Sequence, residues 1–194
     1  MNRNKIILND SLKIGSGSER DCYRHPSESK LCIKIKHINR PNKMPQNEAD
    51  FDYYGFLEKK NISWSNLARC YGWVETNMGP GLVFDLVTDA HGEPCKSLQS
   101  LVDSGIPLSK FKRQIELLYG YLLANNIIPA ELQLDNILYK PDLDGECCLV
   151  IVDGLGNRNF FSWAVNSISL LAKLRIRKKY RRFLFKLKRA GIHL

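Results

Sequence analysis

Ile127-Ile128-Pro129-Ala130-Glu131-Leu132-Gln133-Leu134-Asp135-Asn136-Ile137-Leu138 runs from a proline-broken apolar segment through an irregular loop into a short strand, Ile137-Leu138-Tyr139. Beyond the turn Asp142-Leu143-Asp144-Gly145 comes a second apolar strand, Leu149-Val150-Ile151-Val152, ending on Asp153-Gly154. Ahead of this hairpin the chain reads as helical. Leu98, Leu101 and Val102 suggest a short helix, and Ile115, Leu118 and Leu122 line one face of a longer one over Phe111–Asn125. Further towards the N-terminus the pattern changes to strands. Leu12–Ile14, Asp21–His25 and Leu31–Lys36 form an antiparallel meander, with Gly15-Ser16-Gly17-Ser18 as its first turn. A helix over Glu48–Lys60 follows, with Asn47 as its expected N-cap. Two more strands, Ala68–Val74 and Gly81–Val87, then flank the turn Asn77-Met78-Gly79-Pro80-Gly81. A five-strand sheet with one helix, followed by a mostly helical half, predicts an α+β protein with a cleft between two lobes.

The 194 residues suffice for one compact unit of two small lobes, and 44% hydrophobic with 25% charged residues suits a folded globular chain. Met1–Ile14 never builds the apolar core of a signal peptide and no later stretch reaches membrane-span length, so the expected location is the cytoplasm. The six cysteines show no CxxC pair, which argues against a zinc site and a disulfide scaffold. The net charge of +9 is concentrated: Leu170–Leu194 holds ten Lys and Arg and no acid, and removing those ten leaves −1 for the rest. Basicity of the whole chain therefore gives no reason to expect nucleic acid.

Four features carry chemistry. Gly15 and Gly17, in a turn between strands, would let backbone amides approach a phosphate. Lys34 sits in the apolar strand Leu31-Cys32-Ile33-Lys34, where a charge needs a carboxylate or a ligand phosphate. Glu48 is the expected partner on the next helix, ahead of Asp50 and Glu58. The fourth feature is the pair of stretches containing Asn136 and Asp153.

The ordered set resembles the protein-kinase-like superfamily: glycine turn, strand lysine, helix glutamate, a Val83-Phe84-Asp85-Leu86-Val87 hinge, Asn136-Ile137-Leu138 and Asp153-Gly154. Cys22-Tyr23, Tyr53-Tyr54, Tyr71-Gly72-Trp73-Val74-Glu75-Thr76-Asn77 and Val152-Asp153-Gly154-Leu155-Gly156 together resemble the bacterial YrbL family of PhoP regulatory network proteins. The resemblance implies a two-lobed kinase-like fold over residues 1–169, with an N-lobe to about residue 87 and a shortened C-lobe over about 88–169, and the charge pattern adds a basic C-terminal helix over 170–194. It implies ATP and Mg2+ as cofactors. Gly15 and Gly17 would cover the phosphates, and Lys34, oriented by Glu48, would bind the α and β phosphates. Asn136 and Asp153 would hold magnesium. Hinge backbone from Asp85 to Val87 would meet adenine between Cys22 and Leu138.

The departures bear on activity. Glu131 stands at the proton-acceptor position, Ala130 and Pro129 replace the preceding Arg and His, and Arg20 replaces the third loop glycine. Gly156 is expected to serve the turn after Asp153. The 38 residues after Gly156 are too few for an ordinary peptide-docking lobe. The resulting reading is an ATP- and magnesium-binding regulatory protein, a pseudokinase or weak phosphotransferase. The alternatives are an active kinase using Glu131 on a small molecule or unusual protein site, and a non-enzymatic binding module. In the latter the basic helix, with Leu170, Leu174, Tyr180, Phe183, Leu184 and Leu187 as its apolar stripe, would meet an acidic protein or an anionic membrane. Packing of that stripe under the second lobe is the first expectation, and Phe160, Phe161 and Trp163 are expected in the core or an interface.

Overall fold

Side chains of a strand alternate between two faces, and Leu31–Lys36 uses both faces of the sheet it centres. Ile33 and Ile35 pack on one face with Leu8, Tyr23 and Val83, while Cys32 belongs to the main core on the other. Lys34 shares the Cys32 face, its ammonium 4.2 Å from the centroid of Phe84. The computed structural model describes residues 5–37, 46–141, 147–155 and 169–194. The expected turns at Asp142–Gly145 and Gly156, and the group Phe160, Phe161 and Trp163, lie outside them.

The N-terminal half is a five-stranded antiparallel sheet of β1 (Lys13–Ser16), β2 (Arg20–Arg24), β3 (Leu31–Lys36), β4 (Cys70–Thr76) and β5 (Gly79–Asp85), in the order β1-β2-β3-β5-β4. Gly81 lets β5 lie against β3: a Cβ there would come within 2.4 Å of Ile33 and 2.7 Å of Ile35. Helix α1 (Gln46–Lys59) covers the Lys34 face with Tyr53, Tyr54 and Leu57, and the Tyr54 ring meets Phe84 edge-on at 5.3 Å. Asn47, expected as its N-cap, lies within the helix and is buried. Its amide donates to the Lys34 carbonyl at 3.0 Å, so it ties α1 to β3 rather than capping the helix.

The second half contains α2 (Leu98–Asp103), α3 (Lys112–Ala124), the β6–β7 hairpin (Ile137–Pro141 and Cys147–Ile151) and α4 (Ser169–Arg189). The α+β, two-lobed expectation matches this architecture. Helix α4 packs on α3 through buried Ala172, Ile176, Phe183 and Leu187, with Tyr180 stacked on Tyr119 at 4.0 Å. Leu170 and Leu174, expected in its apolar stripe, are instead exposed. The stripe that satisfies helical geometry runs 172, 176, 180, 183, 187, with fully buried Ala172 at its first position. No helix among the described residues is long and apolar enough to cross a membrane.

Candidate functional site

Two adjoining cavities lie where the lobes meet. One, of about 400 Å3, is bordered by Gly15, Gly17, Cys22, Lys34, Leu138 and the Phe84–Val87 hinge. The other, of about 760 Å3, is polar and is bordered by Gly17, Asp50, Glu131, Asp135 and Gly154. Arg20, Asn136 and Asp153 border both. Sequence separation hides this convergence, which β2, β3, α1 and the β7 end create together.

Asp153 follows β7 and sits under the lysine strand. Lys34 donates to the Val152 carbonyl at 2.6 Å, and its ammonium is 3.8 Å from Asp153 Oδ2. The same Asp153 oxygen lies 2.7 Å from Arg20 Nη2, while Oδ1 accepts from Gln46 Nε2 at 2.7 Å and from the Gly154 N–H at 2.6 Å. Burial raises the Asp153 pKa, but Lys34 and Arg20 more than offset that and hold it down at about 2. It is an anion.

Arg20 is 5% exposed. Its Nη2 is also 2.6 Å from Asp50 Oδ2, and its Nη1 donates to Asn47 Oδ1 at 2.7 Å. Asp50 is pushed upward, first by burial and against the pull of Arg20, with the Asp153 charge adding to the rise. The helix carboxylate in the cleft is thus Asp50. Glu48, the expected partner of Lys34, is exposed, because two positions along a helix turn the side chain through about 200°. Glu58 pairs with Arg69 at 2.7 Å, away from the cleft.

The loop around Glu131 is fastened to Asp153-Gly154. The Gly154 carbonyl accepts from the N–H groups of Ala130 at 2.8 Å and Glu131 at 3.3 Å. Gly154 has φ +80°, and a Cβ there would come within 2.8 Å of the Glu131 carbonyl, so this closure needs glycine. Asn136 is joined to the same unit, its carbonyl accepting from the Val152 N–H at 3.0 Å. The Glu131 carboxylate accepts from Lys186 of α4 through Oε1 and from Gln133 through Oε2 at 3.0 Å. The Lys186 hydrogen bond lowers its pKa, which weakens it as a base. Lys179, one face-repeat earlier on α4, donates to the Ala130 carbonyl.

At the other end, Cys22 from the sheet and Leu138 from the hairpin border the smaller cavity, as apolar covers should. The hinge is partly committed. The Leu86 N–H donates to the Lys30 carbonyl at 2.8 Å, and the Val87 carbonyl accepts from Cys95 at 2.9 Å. The Asp85 carboxylate turns to β4, where it accepts from the Arg69 N–H and the Tyr71 hydroxyl at 2.8 and 2.9 Å.

A family model described as PhoP regulatory network protein YrbL matches residues 6–188. The chain belongs to the YrbL family. YrbL of Escherichia coli (strain K12) is 29% identical over 154 residues, 78% of this chain and 73% of that protein, and YrbL of Shigella flexneri matches to the same extent. Among solved structures, Rad53 1-466 in complex with AMP-PNP aligns with a TM-score of 0.55 at 17% identity. That alignment covers 84% of this chain and 43% of the Rad53 chain, and the likeness establishes a protein-kinase fold. In this YrbL-family fold the sequence reading located Lys34, Asn136 and Asp153 in one cleft, but it read Arg20 only as a replaced loop glycine and Asn47 as a helix cap, and gave Gln46 no role. Their signal was helical spacing: Gln46, Asn47 and Asp50 share one face of α1, opposite a strand arginine.

Of the magnesium ligands expected at Asn136 and Asp153, Asp153 does not fit the ion in this arrangement. Asp153 Oδ2 faces Arg20 at 2.7 Å with the Lys34 ammonium at 3.8 Å, and Oδ1 already accepts from Gln46 and the Gly154 N–H. A guanidinium lies on the oxygen a metal would need.

Proposed function

We propose that this protein is a cytoplasmic, regulatory pseudokinase that takes ATP into the cleft between its lobes. The observation that carries the reading is the cleft itself, which is apolar at the Cys22–Leu138 end and carries the side chains of Lys34 and Arg20 at the other. That polarity matches a base at one end and phosphates at the other. The AMP-PNP complex of Rad53, which shares the fold, supports the same kind of ligand. Regulation follows from the family rather than from geometry. Pseudokinase, rather than kinase, follows from Glu131: its carboxylate is engaged by Lys186 and depressed in basicity, so it is a poor acceptor for a substrate proton.

Thermal unfolding of the full chain with millimolar ATP is the direct test. Ligand at 100 times its dissociation constant stabilises by about 2.7 kcal/mol, a rise of roughly 5 to 10 °C for a chain of this size. Absence of any shift with ATP, with or without Mg2+, would remove the reading.

A second reading, slow phosphate transfer to a small acceptor, is favoured by the larger cavity, where Glu131 and Asp135 border open space beside Asp153. It predicts that Lys186→Ala, by releasing Glu131, raises transfer of labelled phosphate about tenfold or more. No transfer from either form would leave the pseudokinase alone.

A further inference from the structure

Arg20 occupies a position where neither a glycine turn nor a solvent-exposed strand end explains it. Its guanidinium is buried between Asp50 and Asp153, 2.6 and 2.7 Å from their carboxylates, and rests 6.0 Å from the Phe84 ring centroid. Burying a charge so completely is unfavourable unless it is paired, and here two carboxylates and Asn47 are committed to one guanidinium. We infer that Arg20 is the resident cation of the phosphate end of the cleft, so that this protein binds a nucleoside triphosphate without a divalent metal. The inference rests on the nucleotide-binding reading above.

Three observations lead there. The first is occupancy. Magnesium requires near-octahedral oxygen ligands at about 2.0 to 2.1 Å. To reach Asp153 Oδ2 it would have to displace Arg20 from that oxygen and leave the buried guanidinium with Asp50 as its one carboxylate. Gln46 and the Gly154 N–H hold the other Asp153 oxygen, so rotating the carboxylate does not free a ligand position.

The second is charge. Lys34 and Arg20 balance Asp50 and Asp153, and the cluster is neutral. Without Arg20 the remaining three charges sum to −1, the balance that draws in a metal ion and repels a polyphosphate. The arginine therefore does at this place what a metal would do for the anions around it.

The third is donor capacity. Arg20 borders both cavities, and its buried Nε has no hydrogen-bond partner among the described residues. Asn47 engages Nη1 and the two carboxylates share Nη2, so the protein leaves part of a five-donor fork unused. Phosphate oxygens are the ligands that such a planar fork suits, and Lys34 adds a second cation on the same wall.

A buried arginine could also act only as a strut between β2, α1 and the Asp153 segment. The two roles separate in titration calorimetry of ATP into the full chain, in EDTA and in excess Mg2+. With a resident cation, the wild-type dissociation constant differs less than about threefold between the two conditions. Arg20→Gln weakens binding in EDTA by about tenfold or more and regains affinity when Mg2+ is added, because Asp153 is then free to take the metal. Arg20→Lys retains metal independence. Wild-type binding that strengthens about tenfold or more with Mg2+ would overturn the inference while leaving nucleotide binding intact. Equal weakening of Arg20→Gln in both conditions would also overturn it, in favour of the strut. Absence of ATP binding by wild type in either condition overturns the nucleotide reading and this inference together. The wild-type comparison needs no variant, so it decides the matter even if Arg20→Gln does not fold.

Discussion

Burial alone would lift the Asp153 carboxyl above the ordinary range, yet Lys34 and Arg20 hold it at about 2. Its folded pKa thus lies below the unfolded value, so its contribution to stability is fully present above about pH 4 and is lost as the pH falls through about 2. The size is on the order of 2 kcal/mol. Asp50 opposes it in sign, since burial raises its pKa and its ionisation works against folding. The expected outcome is that the melting temperature of the wild type drops more steeply between pH 4 and pH 2 than that of Asp153→Asn. Parallel profiles for the two proteins would mean that the Arg20–Asp153 pair contributes nothing in solution. Sequence alone drew attention to Lys34 and Asp153 because a charge ending or interrupting an apolar strand is conspicuous. Arg20 was not conspicuous: it begins a strand beside polar residues, a place where arginine ordinarily reaches water. Its burial is a property of what α1 brings against it.

At the scale of the element, α4 shows how a helix is placed by phase rather than by the sum of its apolar residues. Ala172, Ile176, Phe183 and Leu187 face α3 and the rest of the core, whereas Leu170, Leu174 and Phe185 are half or more exposed. Both sets look alike in composition. Truncating Phe183→Ala leaves a cavity and should cost about 3 to 5 kcal/mol in urea unfolding, while Leu174→Ala should change stability by less than about 0.5 kcal/mol. Similar losses from both substitutions would put the helix in a different rotation. The same phase brings Lys179 and Lys186 to the Ala130–Glu131 loop. The basic run that composition offered as a contact surface for acidic partners therefore commits two of its cations to contacts within the chain. Nothing in the local sequence of either segment announces that pairing, which depends on two stretches some fifty residues apart.

For the whole molecule, one hydrophobic cluster runs from Cys32, Leu82 and Phe84 of the sheet through Tyr54 and Leu57 of α1 to Ile115, Leu118 and Phe183 of the second half. The lobes share a core. Calorimetry should accordingly show a single unfolding transition with matching calorimetric and van't Hoff enthalpies, near 140 kcal/mol at about 0.7 kcal/mol per residue. Two separated transitions would show that the lobes are independent units. The sequence by itself determined the order of strands and helices and brought Lys34, Asn136 and Asp153 forward as one set. The element order follows from periodicity and from glycine and proline punctuation, which act over a few residues, and the grouping of Asn136 with Lys34 and Asp153 follows from the kinase-like resemblance. Tertiary structure decided which carboxylate of α1 enters the cleft, that Arg20 lies between Asp50 and Asp153, and that α4 neutralises Glu131. These are contacts between distant segments, where a rotation of a helix by half a turn exchanges an inward residue for an outward one while leaving the local sequence signals the same.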